Sequence, residues 1–170
     1  MSQASNDGKI TIDRAREMLS YDPETGEFRW VMASGRARAG DIAGSKTRLG
    51  YRLIMIDKRR YMAHRLAWLW VHGVWPKGDI DHINGDSCDN RIANLREATR
   101  SQNQCNHSRR ATNKSGFKGV SWHKGGRKWK AQIGHKGRWH FLGLYEDPKE
   151  AHLAYVAAAH RLHGEFARVD

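Results

Sequence analysis

Acid is scarce in this chain relative to base: eighteen Asp and Glu stand against thirty Lys and Arg in 170 residues. The resulting formal charge of +12 and pI of about 10.1 disfavour an ordinary small-molecule enzyme and point to a polyanionic partner. Cysteine is almost missing too. Cys88 and Cys105 have no C-x-x-C partner and cannot make a disulfide framework, so they read as free thiols in a reducing compartment. No apolar run approaches the roughly 18 residues of a membrane span. The polar start, Met1 to Lys9, lacks the apolar core of a signal peptide. A soluble, cytoplasmic protein with no membrane partner is expected. Seven Trp, five Tyr and four Phe, in turn, are more aromatic mass than a disordered chain carries.

The shortage of acid is local. Eleven basic residues and no acidic one lie between Arg100 and Tyr145, and the polar stretch Asn106 to Gly116 inside that span reads as a basic linker between two modules. In the first module the spacing predicts a short helix over Ile12 to Leu19. Strands are predicted at Phe28 to Val31, Tyr51 to Ile56 and Arg60 to Met62, the last two joined by a hairpin turn at Asp57-Lys58. A helix is predicted over Ala63 to His72, ended by Gly73 and Pro76. The region Asp22 to Met62 carries many arginines and lysines, which either follow a DNA backbone or simply solvate a hairpin. In the second module, Phe117 to His123, Lys128 to Gly134 and Arg138 to Leu144 predict an antiparallel meander. A helix then starts at the Asp147-Pro148 cap, with Glu150 completing a capping box, and stops at Gly164.

Chemistry concentrates between Asp81 and Asn103. Ile80 to Ile83 reads as a strand end, Asn84-Gly85 as a tight turn, Leu95 to Glu97 as a return strand, and Thr99 with Gln102 as a helix cap. Such a strand, return strand and helix bring Asp81 and Asn103 within reach of one ion, with His82 beside it. Two hard oxygen donors suit magnesium or manganese completed by water and phosphate. A neutral histidine there is fit to deprotonate a water that attacks phosphorus. Asn84 and Asn90 read as turn residues. His64 reads as structural, the alternatives being a helix cap, a phosphate contact or an extra active-site group.

Asp81-His82, Asn84-Gly85, Asn90-Arg91, Asn94-Leu95-Arg96 and Asn103 together resemble an HNH (ββα-metal) nuclease of the type common among phage homing endonucleases, over about residues 50 to 107. The resemblance implies that Asp81 and Asn103 bind the metal and that His82 is the general base. It also implies that Asn94 braces the loop and orients the histidine. Many HNH enzymes carry histidine where Asn103 stands; the homing subgroup has asparagine there.

A second resemblance lies in Phe117 to Val120, Lys128 to Ile133, Phe141 to Tyr145 and Glu150-Ala151 through Ala154-Tyr155. These motifs are similar to the Apetala-two type DNA-binding domain, over about residues 115 to 168. Lys118, His123, Lys128, Lys130, Gln132 and Arg138 are candidates for the open sheet face, where Lys and Arg read guanine and Gln reads adenine. Position in the family adds Ser121, Trp139 and Phe141. Trp129 reads as core, and Trp139 as core or groove contact. Several arginines expected by the family are absent, so its target sequences are not carried over.

The expected fold class is α+β: a ββα-metal nuclease module at 1–107, a basic linker at 108–114, and a three-stranded antiparallel sheet packed on one helix at 115–170. The expected function is metal-dependent, sequence-directed hydrolysis of double-stranded DNA by a phage or mobile-element enzyme in the infected cell. An inactive DNA-binding regulator and an RNA-binding protein are the alternatives. The oligomeric state is not legible.

Overall fold

The hairpin turn expected at Asp57-Lys58 is present, with both residues left-handed (φ 48° and 62°), the backbone of a two-residue turn that suits strand twist. The structure is a computed structural model that describes residues 9–107 and 112–169; residues 1–8, and 108–111 of the expected linker, lie outside the described residues. The chain forms two units, Met1–Glu97 and Ala98–Asp170. The boundary read from charge falls later, at 107, so the helix Arg100–Cys105 groups here with the second unit.

In the first unit, helix α1 (Ile12–Met18) begins at Thr11, whose hydroxyl accepts from the Arg14 N–H at 3.2 Å. Strands β1 (Leu19–Tyr21) and β2 (Phe28–Trp30) pair antiparallel, Leu19 opposite Trp30. Strands β3 (Ser45–Lys46), β4 (Arg52–Ile56) and β5 (Arg59–Met62) form a second antiparallel sheet in that order. Along β4 the period of two sends Ile54 and Ile56 inward and Met55 out. Helix α2 (Ala63–His72) follows β5 directly. Its buried stripe is Ala63, Leu66, Ala67 and Leu69, and Gly73 closes it with φ 71° and an N–H bond to the Leu69 carbonyl. Leu19, Phe28, Ile54, Ile56 and Leu66 are sealed in one core, each contributing about 1.5–3 kcal/mol of burial. That core fixes α2 against the sheets. Strand β6 (Asp79–His82) pairs with β7 (Leu95–Ala98) after a 3₁₀ turn at Ile92–Asn94.

The second unit opens with helix α3 (Arg100–Cys105) behind the expected capping box: Thr99 and Gln102 satisfy each other's backbone N–H groups. Strands β8 (Val120–His123), β9 (Lys128–His135) and β10 (Arg138–Tyr145) form an antiparallel sheet with β9 central. β8 starts later than the sequence suggests. Asn113 and Ser115 side chains bind the carbonyls of Phe117 and Val120, and Gly119 is left-handed, so Phe117 to Gly119 is held as a turn. Helix α4 (Pro148–His163) is capped by Asp147, which accepts from the Lys149 N–H at 2.7 Å, and ends at Gly164. Its buried Ala151, Tyr155, Ala158 and Ala159 pack on Val120, Ala131 and Ile133. Among the described residues no helix is long and apolar enough to cross a membrane.

Candidate functional site

The polar centre of the first unit is built on the end of β6. Asp81 is buried there, its Oδ2 accepting from Arg96 Nε and Nη2 of β7, both at 2.8 Å. The neighbouring His82 is also buried, and its Nε2 lies 3.3 Å from the amide oxygen of Asn90. With that oxygen as acceptor, the neutral ring carries its proton on Nε2 and its lone pair on Nδ1. Burial holds the His82 pKa below the ordinary value, partly offset by the Asn90 bond and by Asp81, Asp86 and Asp89. The ring is therefore mainly neutral at pH 7.

The loop from Asn84 to Asp89 is clamped by Asn94. Its amide oxygen accepts the Asn84 N–H at 3.0 Å, and its amide nitrogen donates to Asn84 Oδ1 at 3.0 Å and to the Asp89 carbonyl at 2.9 Å. The Asn94 carbonyl takes the Ile83 N–H at 2.9 Å. Asn94 thus braces the loop, while the side chain facing His82 belongs to Asn90. Asn90, read from sequence as a turn residue, is buried, and its backbone carbonyl accepts from the Tyr21 hydroxyl at 2.8 Å. Asp89 holds the loop's outer side, and its bonds from Arg91 lower its pKa to about 2. Two partnerships were missed, Arg96 with Asp81 and Asn90 with His82, although both residues belong to the motif between Asp81 and Asn103. His64, read from sequence as structural with an active-site role among the alternatives, meets His82 edge-on at 5.1 Å.

Gly26 supports the same loop from behind. It is left-handed (φ 73°), and a Cβ there would collide with the backbone of Asn90 and Arg91. Gly26→Ala is expected to cost about 2–4 kcal/mol through αL strain and overlap. It would also displace Asn90 from His82. Urea unfolding should show a lower midpoint at unchanged slope.

Asn103 lies half-buried on α3 of the second unit, its backbone N–H bonded to the Thr99 carbonyl. Among the described residues no group of three His, Cys, Asp or Glu side chains gathers as a metal cage.

The second unit's sheet sorts the remaining candidates by face. Strand pairing sets Ser121 opposite Lys130, His123 opposite Lys128, Gln132 opposite Phe141 and Gly134 opposite Trp139. Directly opposed residues share a face. The alternate row holds the buried Val120, Ala131 and Ile133 that meet α4, so these candidates occupy the open face. Trp139 and Phe141 are 73% and 64% exposed there. Trp139 is therefore not core, whereas Trp129 packs against it. Two candidates lie elsewhere. Lys118 spends its ammonium on the carbonyls of Cys105, His107 and Arg168 at 2.6–3.0 Å, which satisfies the end of α3. Arg138 stands opposite His135, on the helix-side row. Lys128 is ion-paired with Glu146 at 2.9 Å.

Known proteins match the part of the chain that contains this geometry. Residues 61–105, which include His64, Asp81, His82, Asn90, Asn94, Arg96 and Asn103, match the family described as HNH endonuclease. Over 107 residues, 62% of this chain and 87% of the relative, the chain is 36% identical to Protein 3.8 of Escherichia phage T7. With that coverage, and with the paired strands β6 and β7 carrying the matched motif, the chain belongs to the HNH endonuclease family.

Proposed function

We propose that this protein is a metal-dependent endonuclease that hydrolyses a phosphodiester of double-stranded DNA, with His82 as general base. The observation that carries the reading is the buried, neutral His82, held through Nε2 by Asn90 and set beside the Asp81–Arg96 pair on a loop clamped by Asn94. The donor chemistry fits a hard cation: the Asp81 carboxylate and, by the resemblance, the Asn103 amide oxygen leave positions for water and phosphate, as magnesium or manganese prefers. When bound, the ion would neutralise charge on the phosphate and the leaving oxygen. His82 Nδ1 accepts a proton from the attacking water, the water oxygen bonds to phosphorus, and the P–O bond to the leaving sugar oxygen breaks. The leaving oxygen then takes a proton from solvent. Asn90 holds the imidazole while its charge rises, and Asp81 and its neighbouring carboxylates favour the imidazolium.

The second unit is proposed as the reader. Its open face presents Lys130 and Gln132 for base edges and Trp139 and Phe141 for apolar contact with sugar or thymine methyl groups, between Ser121, His123 and Lys128. Phosphate contacts alone carry no sequence information, so a cutter needs such a surface. The phage relative fits a phage or mobile-element enzyme that cuts DNA in the infected cell.

Supercoiled DNA incubated with the full-length protein and magnesium tests the reading. Nicks or breaks are expected that vanish with chelator and fall by at least about 10³-fold in His82→Ala, with duplex binding retained. Binding without cutting by the parent protein would instead establish a DNA-binding regulator. Preference for single-stranded RNA over duplex DNA at equal salt would establish an RNA-binding protein.

A further inference from the structure

His64, the second residue of α2, is 8% exposed and has a second ring beside it as well as His82: Tyr51 meets it edge-on at 5.5 Å. Tyr51 also lies 6.0 Å from His82, so the three rings form one cluster around the proposed base. The Nδ1 of His64 is sealed from solvent with no hydrogen-bond partner among the described residues. A phenyl ring would fill the same place without that cost, and an unpaired buried polar atom in a native site asks for a function.

A neutral imidazole has one proton to place. On Nδ1 it would be a sealed donor without an acceptor, at a cost of about 1–3 kcal/mol. The proton therefore belongs on Nε2. Burial and the proximity of His82 and Arg65 lower the His64 pKa to about 3, so the ring stays neutral wherever the enzyme works.

Building on the nuclease reading, we propose that His64 is a second catalytic imidazole, whose Nε2–H donates a hydrogen bond to a non-bridging oxygen of the phosphodiester attacked by the His82-activated water. Charge grows on those oxygens as the water bonds to phosphorus, so a fixed neutral donor binds the transition state more tightly than the ground state. His82 and His64 thus divide the chemistry: one ring accepts a proton, and the other donates a hydrogen bond without changing charge.

The experiment is single-turnover nicking of supercoiled DNA in magnesium by the full-length parent, His64→Phe, His64→Asn, His64→Gln and His82→Ala. Melting and duplex binding in chelator are measured alongside. His64→Phe keeps the ring and removes the sealed nitrogen, so it should melt no lower than the parent and bind duplex within about twofold. Its nicking rate should fall about 10²-fold, the loss typical of one transition-state donor. An Asn side chain places its N–H nearer the Nδ1 position and Gln nearer Nε2. His64→Gln should therefore cut at least about tenfold faster than His64→Asn. Nicking by His64→Phe within about threefold of a cutting parent overturns the proposal and leaves the nuclease reading intact. Losses in all three variants that merely track their melting overturn it too. A parent that binds duplex and never nicks overturns the nuclease reading itself and this proposal with it.

Discussion

Replacing Asp81 with alanine is expected to abolish cleavage and to destabilise the protein by about 3–5 kcal/mol, the range for breaking a buried ion pair. The side chains of Asp81 and Arg96 are 3% and 14% exposed, and the guanidinium directs two N–H groups at one carboxylate oxygen. Alanine removes that carboxylate and takes this ion pair away from a guanidinium that is mostly buried. The two effects can be separated. In the double variant Asp81→Leu/Arg96→Met both charges go and the volume stays, so most of the lost stability should return. Cleavage should not, because the metal-binding oxygen of the proposed site is still missing. Guanidinium unfolding and the supercoiled-DNA assay, run on both variants, check this. An Asp81→Ala protein that cuts at the parent rate would remove Asp81 from the proposed site.

Stability is expected to drop by about 2 kcal/mol between pH 7.5 and pH 5, because the folded His64 resists protonation. Its pKa falls from 6.5 to about 3 on folding, through burial first and then the proximity of His82 and Arg65. The unfolded chain therefore binds the proton that the folded chain refuses throughout the window from 6.5 down to 3. Stability is fully present above 6.5 and is lost progressively as pH falls. His82, shifted in the same direction, adds to the slope. The carboxylates of Asp22, Asp57 and Asp89, held below their ordinary value of 3.8, contribute only below pH 5 and so leave the interval from pH 7.5 to pH 5 to the histidines. Urea midpoints at pH 7.5, 6 and 5 measure the effect. His64→Phe should flatten the profile to what remains from His82 and from the exposed His135, whose pKa is also lowered, and a profile as steep as the parent's would refute the assignment.

Local elements were legible because their causes are local. Helix α2 runs from Ala63 to His72 as its spacing and Gly73 indicate, the Thr99–Gln102 box caps α3, and Asp57-Lys58 turns the hairpin. The site was legible as a set of residue types and not as a set of bonds. Nothing in the order Asp81-His82 says that Arg96 will meet the carboxylate, or that Asn90 and His64 will meet the imidazole. Those partners come from separate segments, and only the packing of α2, β6 and β7 decides which polar groups lose water together. The error at Arg138 differs in kind. Arg138 and Trp139 are neighbours in a strand and cannot share a face, so alternation alone excluded one of them, and the register against β9 decided which.

By itself, the sequence determined a basic, two-module chain with an HNH motif and a strand meander, since charge, caps and hydrophobic period act between near neighbours. Tertiary structure decided that Lys118 serves backbone carbonyls, that Trp139 and Phe141 face solvent, and that His82 lies among Asn90, His64 and Tyr51. The physical reason is that a hydrogen bond or ion pair gains its strength and its selectivity from burial, and burial exists only once distant segments have packed.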